Sequence, residues 1–492
     1  GESTAIKTQQ DPLDWFKNSK HLIQPTIDAV TNLLKEIREC NDEITRNKLT
    51  EQLKLANKIR NITVAEAKSR YLAKLAEEIG GLSGPKCKNS WKYVRQCELG
   101  NKNNHKKQKT MSLRLPNGQR ANTDKENMSV FQPHCLRVFN NHRIVSPEAL
   151  NFIVQRETYE QLDDPITWKE FMTAVNGMKN DKSPGANGVP VEAIKAMNQA
   201  NLSQVYNHIN AFWWNGSKDH PEWHTGNGTP VPKIPNPDDP NKYRVVTLMD
   251  VCSKTFSRIL CARSYKLLEK HGTKHQYGAT PRSGCQDGNF TLKTLLHLRR
   301  QHNQDTYVIF ADLVKAYDTY NHELMIKVLE RYGAPPKFRE IIRRLYTDLK
   351  VVVKIGKEKA EIEQQVGVRQ GDNVSSVIFL FLMSAFAETL EKEWASSNIS
   401  QARFKNITNL QEGQLTGHTK ERMRNGINFV IHQILYIDDG AFFFETREDA
   451  QNGLEMIHRV FALFGLEMHI GRGENLSKTE IMYVPKSSFY CA

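Results

Sequence analysis

Two stretches decide how this chain folds: TYVIFADLVKAYD (306–318) and NFVIHQILYIDDGAFFFE (428–445). In the first, β-branched and aromatic residues run through TYVIFADL (306–313), the composition of a buried strand. In the second, the apolar runs NFVIHQILY (428–436) and GAFFFE (440–445) flank Ile437-Asp438-Asp439, which predicts a hairpin turning on two adjacent carboxylates. Taken alone, Asp-Asp-Gly is ordinary turn chemistry. Asp312 changes its weight. It stands at the C-terminal end of the first predicted strand, where an unpaired carboxylate is costly to desolvate unless it meets a cation or a base.

The flanking segments say where these carboxylates meet. NHELMIKVLERYG (321–333) predicts a helix closed by Gly333, VVVKIGKEKAEIEQQVGV (351–368) a hairpin around Gly356 to Ala360, and 374–394 an apolar helix. A polar surface insertion is expected over 395–427, then a helix at 447–465 and a strand at KTEIMYV (478–484). Strand, helix, hairpin, helix, strand is the split β-α-β order, in which the end of the first strand lies beside the hairpin turn. Asp312 is therefore expected to converge with Asp438 and Asp439. Three carboxylates without Cys or His suit hard octahedral Mg²⁺, with Mn²⁺ an alternative, rather than zinc. Two such ions, roughly 3.5–4 Å apart, would activate a 3′-hydroxyl and stabilise a pyrophosphate leaving group.

Composition frames this reading. The 492 residues carry 68 Lys or Arg and 55 Asp or Glu, a net charge of +13. Of this, residues 51–150 hold +11 and residues 151–492 only +3. A polyanion-seeking protein of about three domains follows, and 39% hydrophobic content argues against wholesale disorder. The eight cysteines form no C-x-x-C pair, which favours a reduced, intracellular protein over a zinc ribbon. The longest apolar run, Val377 to Ala387, is too short to span a bilayer, so no membrane association is expected. Residues 23–79 read as long basic helices with a break at Asn61, and residues 81–127 as an exposed linker. Within it KNNHKKQK (102–109) reads equally as a phosphate-binding arm or a solvated loop; its Lys106, Lys107 and Lys109, with Arg114 further along the linker, are the candidate nucleic-acid contacts. The chain opens at Gly1 without methionine and is expected to be a piece of a longer protein.

From about Trp168 to Val484 the chain resembles the reverse-transcriptase domain of non-LTR (LINE-type) retrotransposons. The resemblance is carried in order by KNDKSPGANGVPVEAIK (179–195), VPKIPNPDDPNKYRVVTLMDVCSKTFSRILCAR (231–263), QYGATPRSGCQDG (276–288), FADLVKAYD (310–318), GVRQGDNVSS (367–376), YIDD (436–439) and GLEMHIGRGENLSKTEIM (465–482). It implies an α+β right-hand polymerase: a basic helical extension and linker at 1–127, fingers at 128–305, a ferredoxin-like palm at 306–484 and a truncated tail at 485–492, the thumb being missing or cut short. It also implies roles. Asp312, Asp438 and Asp439, with the carbonyl of Leu313, would hold the metals; Lys233 and Arg244 would bind the triphosphate. Tyr317 would exclude a ribose 2′-hydroxyl, Gln370 and Gly371 would line the nascent base pair, and Lys478 would protonate pyrophosphate. The plainer alternatives are a packed helix-start tyrosine, an ordinary loop before a helix and solvated surface cations.

Several positions depart from the family pattern: Val245 for a proline, Asn187 for an aspartate, Asn373-Val374-Ser375-Ser376 after the Gly371 segment, and His469-Ile470 before Lys478. None removes a metal ligand. The expected partners are template RNA, primer or target DNA and dNTPs, with an endonuclease domain outside this stretch and a ribonucleoprotein location in nucleus or cytoplasm. A domesticated or group II intron-like reverse transcriptase, and a non-catalytic RNA-binding remnant, are the alternatives. A viral RNA polymerase fits less well, because YIDD and RQGD stand in place of its usual elements.

Overall fold

The computed structural model describes residues 15–40, 42–80, 111–215, 221–406, 427–471 and 476–486. It divides into two compact units, Gly1–Thr110 and Met111–Ala492. In the first, α1 (Trp15–Glu39) packs against α2 (Glu43–Gly80), burying Ile23, Val30 and Ala67. The break falls at 40–42 and not at the expected Asn61, through which α2 continues. Asp42 explains the position: its side chain accepts from the Thr45 backbone N–H at 2.9 Å, satisfying an otherwise orphaned donor of the first turn. Lys106, Lys107, Lys109 and the tail 487–492 lie outside the described residues.

The second unit begins with α3 (Asp124–Phe139), α4 (Trp168–Asn176) and α5 (Gln199–Asn215). The hairpin β1 (Thr225–Pro232) and β2 (Tyr243–Leu248) follows, then α6 (Val251–His271), α7 (Cys285–Gln301) and β3 (Thr306–Ala311). After β3 come α8 (His322–Arg331), α9 (Pro336–Tyr346), β4 (Lys350–Ile355), β5 (Glu358–Glu363) and α10 (Asn373–Ala395). The remaining elements are β6 (Arg403–Asn406), β7 (Ile427–Val430), β8 (Gln433–Tyr436), β9 (Asp439–Phe444), α11 (Arg447–Leu463) and β10 (Glu480–Val484). The fold is α+β.

One sheet has the order β10-β3-β9-β8, every neighbour antiparallel. Strand β8 returns in the direction of β3 with β9 inserted between them, and β10 joins on the far side of β3: this is the split β-α-β topology read from the sequence. At β3 and β9 both faces are covered, which is why β3 is largely apolar, whereas β10 is exposed along most of its length. Ile309 and Ala311 enter the main core with Phe442 and Phe444, whereas Val308 packs with Ile434, Phe443, Leu295 of α7 and Phe404 of β6. The single expected strand 428–436 is two strands, because β7 pairs with β6 and β8 with β9. The expected polar insertion accordingly contains β6, whose Phe404 is fully buried.

The second sheet has the order β2-β1-β4-β5. Its β4–β5 hairpin, expected in the same segment as the carboxylate strands, instead extends the β1–β2 hairpin by parallel pairing of β1 with β4. One face of this hairpin (Val351, Val353, Ile355, Ala360, Ile362) packs on Met128, Phe131 and Cys135 of α3 together with Leu113. Residues 111–127, expected as the end of the linker, are thereby anchored in the second unit. Helix α10 is long and apolar enough to pass for a membrane span, but 83% of its most apolar window is buried against the rest of the chain. It packs on α6, α8 and α11.

Candidate active site

The register Ala311↔Gly440 ends the β3–β9 ladder, so one residue further on Asp312 faces Asp439 across the strand ends. The loop after Asp312 is fixed on both sides. Its N–H donates to Thr479 Oγ1 (3.3 Å), its carbonyl accepts the His469 N–H (2.8 Å), and the Val314 N–H donates to the Glu467 carbonyl (2.8 Å). Arg143 braces this bridge, reaching the Val314 carbonyl and the Glu467 carboxylate, each at 3.1 Å. Leu313 pairs with Met468 through its neighbours' hydrogen bonds, which leaves its own carbonyl outside the ladder.

The carboxylates crowd one another electrostatically. Burial, then Asp439 and Asp312, push Asp438 up to about 6. Burial and then Asp312 raise Asp439 as well. Asp312 Oδ2 is buried without a hydrogen bond and stands 3.3 Å from Lys478 Nζ. Among the described residues no three His, Cys, Asp or Glu side chains are gathered closely enough to hold a metal as they stand. The donor set nevertheless fits a hard divalent cation by type: three carboxylates, an unbonded carboxylate oxygen, and mutual repulsion that a cation would relieve.

The cleft that holds them is also lined by a group of cations. Arg244 lies in β2, opposite Val231 of β1, and Lys233 follows directly after that strand. Lys233 Nζ donates to the Asn241 carbonyl (3.1 Å), and Lys315 Nζ to Asn241 Oδ1 (2.9 Å). Burial, then Arg244, lower the Lys233 ammonium; burial also lowers Lys315, with Lys233 adding to it and Asp318 opposing. The carboxylates, these cations, Tyr317, Gln370, Gly371 and Lys478 line one cleft of about 850 Å³.

The Tyr317 ring stacks on Phe379 (4.4 Å between centroids, 20° between planes), and burial pushes its phenol up. Gln370 Nε2 donates to Asp318 Oδ1 (2.8 Å) and its carbonyl accepts the Thr247 N–H (2.7 Å). Gly371 has φ +109°, and a Cβ there would stand 2.8 Å from the Thr247 carbonyl oxygen. The close approach that demands glycine is thus made to β2. Arg114 does not reach the cleft: with Arg120 it pairs to Asp238 on the surface, at 2.8 Å and 3.4 Å.

Several cleft or near-cleft residues escaped the sequence reading, among them Asn241, the tether of both lysines. Lys315 and Asp318 lie inside FADLVKAYD, and their spacing from Asp312 was the available signal. Gln276, in QYGATPRSGCQDG, hydrogen-bonds the backbone of Ile437.

Residues 234–489 match the family model of the reverse transcriptase (RNA-dependent DNA polymerase). The chain is 26% identical over 217 residues to the retrovirus-related Pol polyprotein from type-1 retrotransposable element R2 of Popillia japonica, covering 44% of this chain and 29% of that protein. It is 26% identical over 241 residues to the corresponding R2 polyprotein of Nasonia vitripennis (48% and 20%). It is 24% identical over 212 residues to the Pol polyprotein from type-2 retrotransposable element R2DM of Drosophila melanogaster (43% and 20%). The chain spans less than a third of the length of each of these relatives. With the matched family region containing Arg244, Asp312, Asp438 and Asp439, the chain belongs to the reverse transcriptase family and carries a reverse-transcriptase domain of the non-LTR retrotransposon kind.

Proposed function

We propose that the cleft performs RNA-directed DNA synthesis, joining a dNTP to a primer 3′-hydroxyl against an RNA template. The observation that carries this reading is one cleft lined by both charges: Asp312, Asp438 and Asp439 at the ends of β3 and β9, together with Lys233, Arg244 and Lys315. The three carboxylates and the Leu313 carbonyl would hold two Mg²⁺ or Mn²⁺ ions. When bound, such ions supply activation of the 3′-hydroxyl and neutralisation of the departing pyrophosphate.

The chain's own residues account for the remaining steps. Arg244 offers a planar fork to the triphosphate, and Lys233 and Lys315 add point charges. The Tyr317 ring, stacked on Phe379, forms a rigid surface that a ribose 2′-hydroxyl would strike. Gln370 and Gly371 line the position of the nascent pair. Lys478, 3.3 Å from Asp312 and lining the cleft, would give a proton to pyrophosphate. In this reading the sheet bearing the carboxylates is the palm, and the β1–β2 and β4–β5 hairpins with α3 belong to the fingers. Template RNA and primer or target DNA are the partners. An endonuclease domain elsewhere in the parent protein and a ribonucleoprotein in nucleus or cytoplasm complete the proposal.

Extension of oligo(dT) on poly(rA) with dTTP and Mg²⁺ tests it. Asp312→Ala, Asp438→Ala and Asp439→Ala should each lower incorporation on the order of 10³-fold while heteroduplex binding stays within about threefold. Incorporation unchanged by these substitutions contradicts the assignment.

A further inference from the structure

We propose that Gln276 and Gly278 form a clasp that sets the Asp438–Asp439 turn, which makes Gln276 a positioning residue for the carboxylate site; this rests on the reading of those carboxylates as metal ligands. The turn is one that its own residue disfavours. Ile437 has φ +62°, in the left-handed region that a β-branched side chain rarely enters. Such a conformation persists only where the surroundings over-determine it.

The segment 275–278 does this from the edge of the sheet. It bridges β8 in parallel: the Tyr277 N–H donates to the Leu435 carbonyl (2.8 Å), and the Leu435 N–H donates to the His275 carbonyl (2.9 Å). That register lays the Gln276 side chain along Ile437. Its Oε1 accepts the Ile437 N–H at 2.7 Å and the Gly278 N–H at 2.9 Å, while its Nε2 donates to the Ile437 carbonyl at 3.0 Å. One buried amide, 6% exposed, therefore holds both backbone groups of the strained residue. A carboxamide carries, side by side and without a charge, the acceptor and the donor that this arrangement uses.

Gly278 is the second, independent part. A Cβ there would stand 2.6 Å from the Ile437 nitrogen and 2.9 Å from the Tyr436 carbonyl carbon, both backbone atoms. The segment can approach the turn this closely only as glycine. Asp438 and Asp439 leave the clasped residue directly, and their mutual repulsion would drive the turn open if the clasp were lost.

The test uses the 492-residue chain and three readouts: Mn²⁺ binding by electron paramagnetic resonance, hydrogen exchange over residues 436–440, and kcat against dTTP KM. Gln276→Met and Gly278→Ala should each weaken Mn²⁺ binding and lower kcat about tenfold or more, with KM within about twofold, as loss of a group that orients metal ligands does. Exchange at Ile437 should quicken in the same variants. In an Ile437→Gly background, where the left-handed φ costs nothing, Gln276→Met should cost less than about threefold. Because Gly278→Ala retains Gln276, it keeps the test open should Gln276→Met not fold.

Wild-type Mn²⁺ binding and kcat in a folded Gln276→Met chain, or an equal loss in the Ile437→Gly background, overturns the clasp. Asp438→Ala separates the two readings. If it abolishes Mn²⁺ binding while Gln276→Met leaves it intact, the clasp alone fails. If Asp438→Ala itself leaves binding intact, the metal reading fails and the clasp's role falls with it.

Discussion

The two walls of the cleft are built in opposite ways from similar parts. The acidic wall comes from the ends of two adjacent strands buried on both faces, so Asp312 and Asp439 are placed by sheet register and a clamped turn. The basic wall comes from a hairpin end and a loop, with Lys233 and Lys315 both tethered through Asn241. Each wall gathers like charges in partial burial, the basic one around the buried Asp318 carboxylate. Asp438 and Asp439 are pushed up, Lys233 and Lys315 down, and each wall therefore favours a ligand of the opposite sign. Under the proposed function this difference in construction separates two tasks: the wall set by strand register positions what reacts, and the wall built from a hairpin end and a loop gathers the polyanion.

Substitutions in the basic wall should act chiefly on dTTP binding. Arg244→Ala should lower kcat/KM for dTTP on the order of 100-fold, mainly through KM, and Arg244→Lys should recover part of it, because a point charge replaces the fork but not its geometry. Steady-state titration of dTTP checks this. Between the walls, Tyr317→Ala should reduce discrimination against ribonucleotides about tenfold or more, read from competing kcat/KM values for dTTP and UTP; unchanged discrimination would reduce Tyr317 to a packed ring beside Phe379.

The smallest effect sharpens the acidic side. Asp438 titrates near 6 in the folded chain and near 3.8 in its unperturbed state, so between these values the folded state binds more protons. Stability of the metal-free protein should fall as pH rises from about 4 to 6 and carry the full penalty above that. Asp438→Asn should remove this slope and raise Tm by a few °C at neutral pH, on the order expected for relieving one buried charge. A calorimetric scan in chelator against pH checks both.

Much of the acidic wall was legible in the sequence, because an uninterrupted apolar run followed by a carboxylate leaves few structural options. The split β-α-β topology followed from the order of elements. What stayed hidden depends on contacts without a local pattern. The β1–β4 pairing is parallel and long-range, so nothing in the β4–β5 hairpin announces its sheet. The division between β7 and β8 is masked by continuous apolar residues, and only the partner strand β6 reveals it. Arg114 carries a surface ion pair to Asp238, a partner 124 residues along the chain that no local spacing announces. Gln276 acts on the backbone of Ile437, which no side-chain spacing encodes.

A single-turnover measurement of dTMP addition on poly(rA)/oligo(dT) separates the contributions of the two walls. With dTTP raised to saturation, Arg244→Gln should recover to within about threefold of the wild-type rate, whereas Asp438→Asn should remain on the order of 10³-fold slow at every concentration. Recovery of the Asp438→Asn rate at saturating dTTP, or an Arg244→Gln rate that saturation cannot restore, would contradict the account.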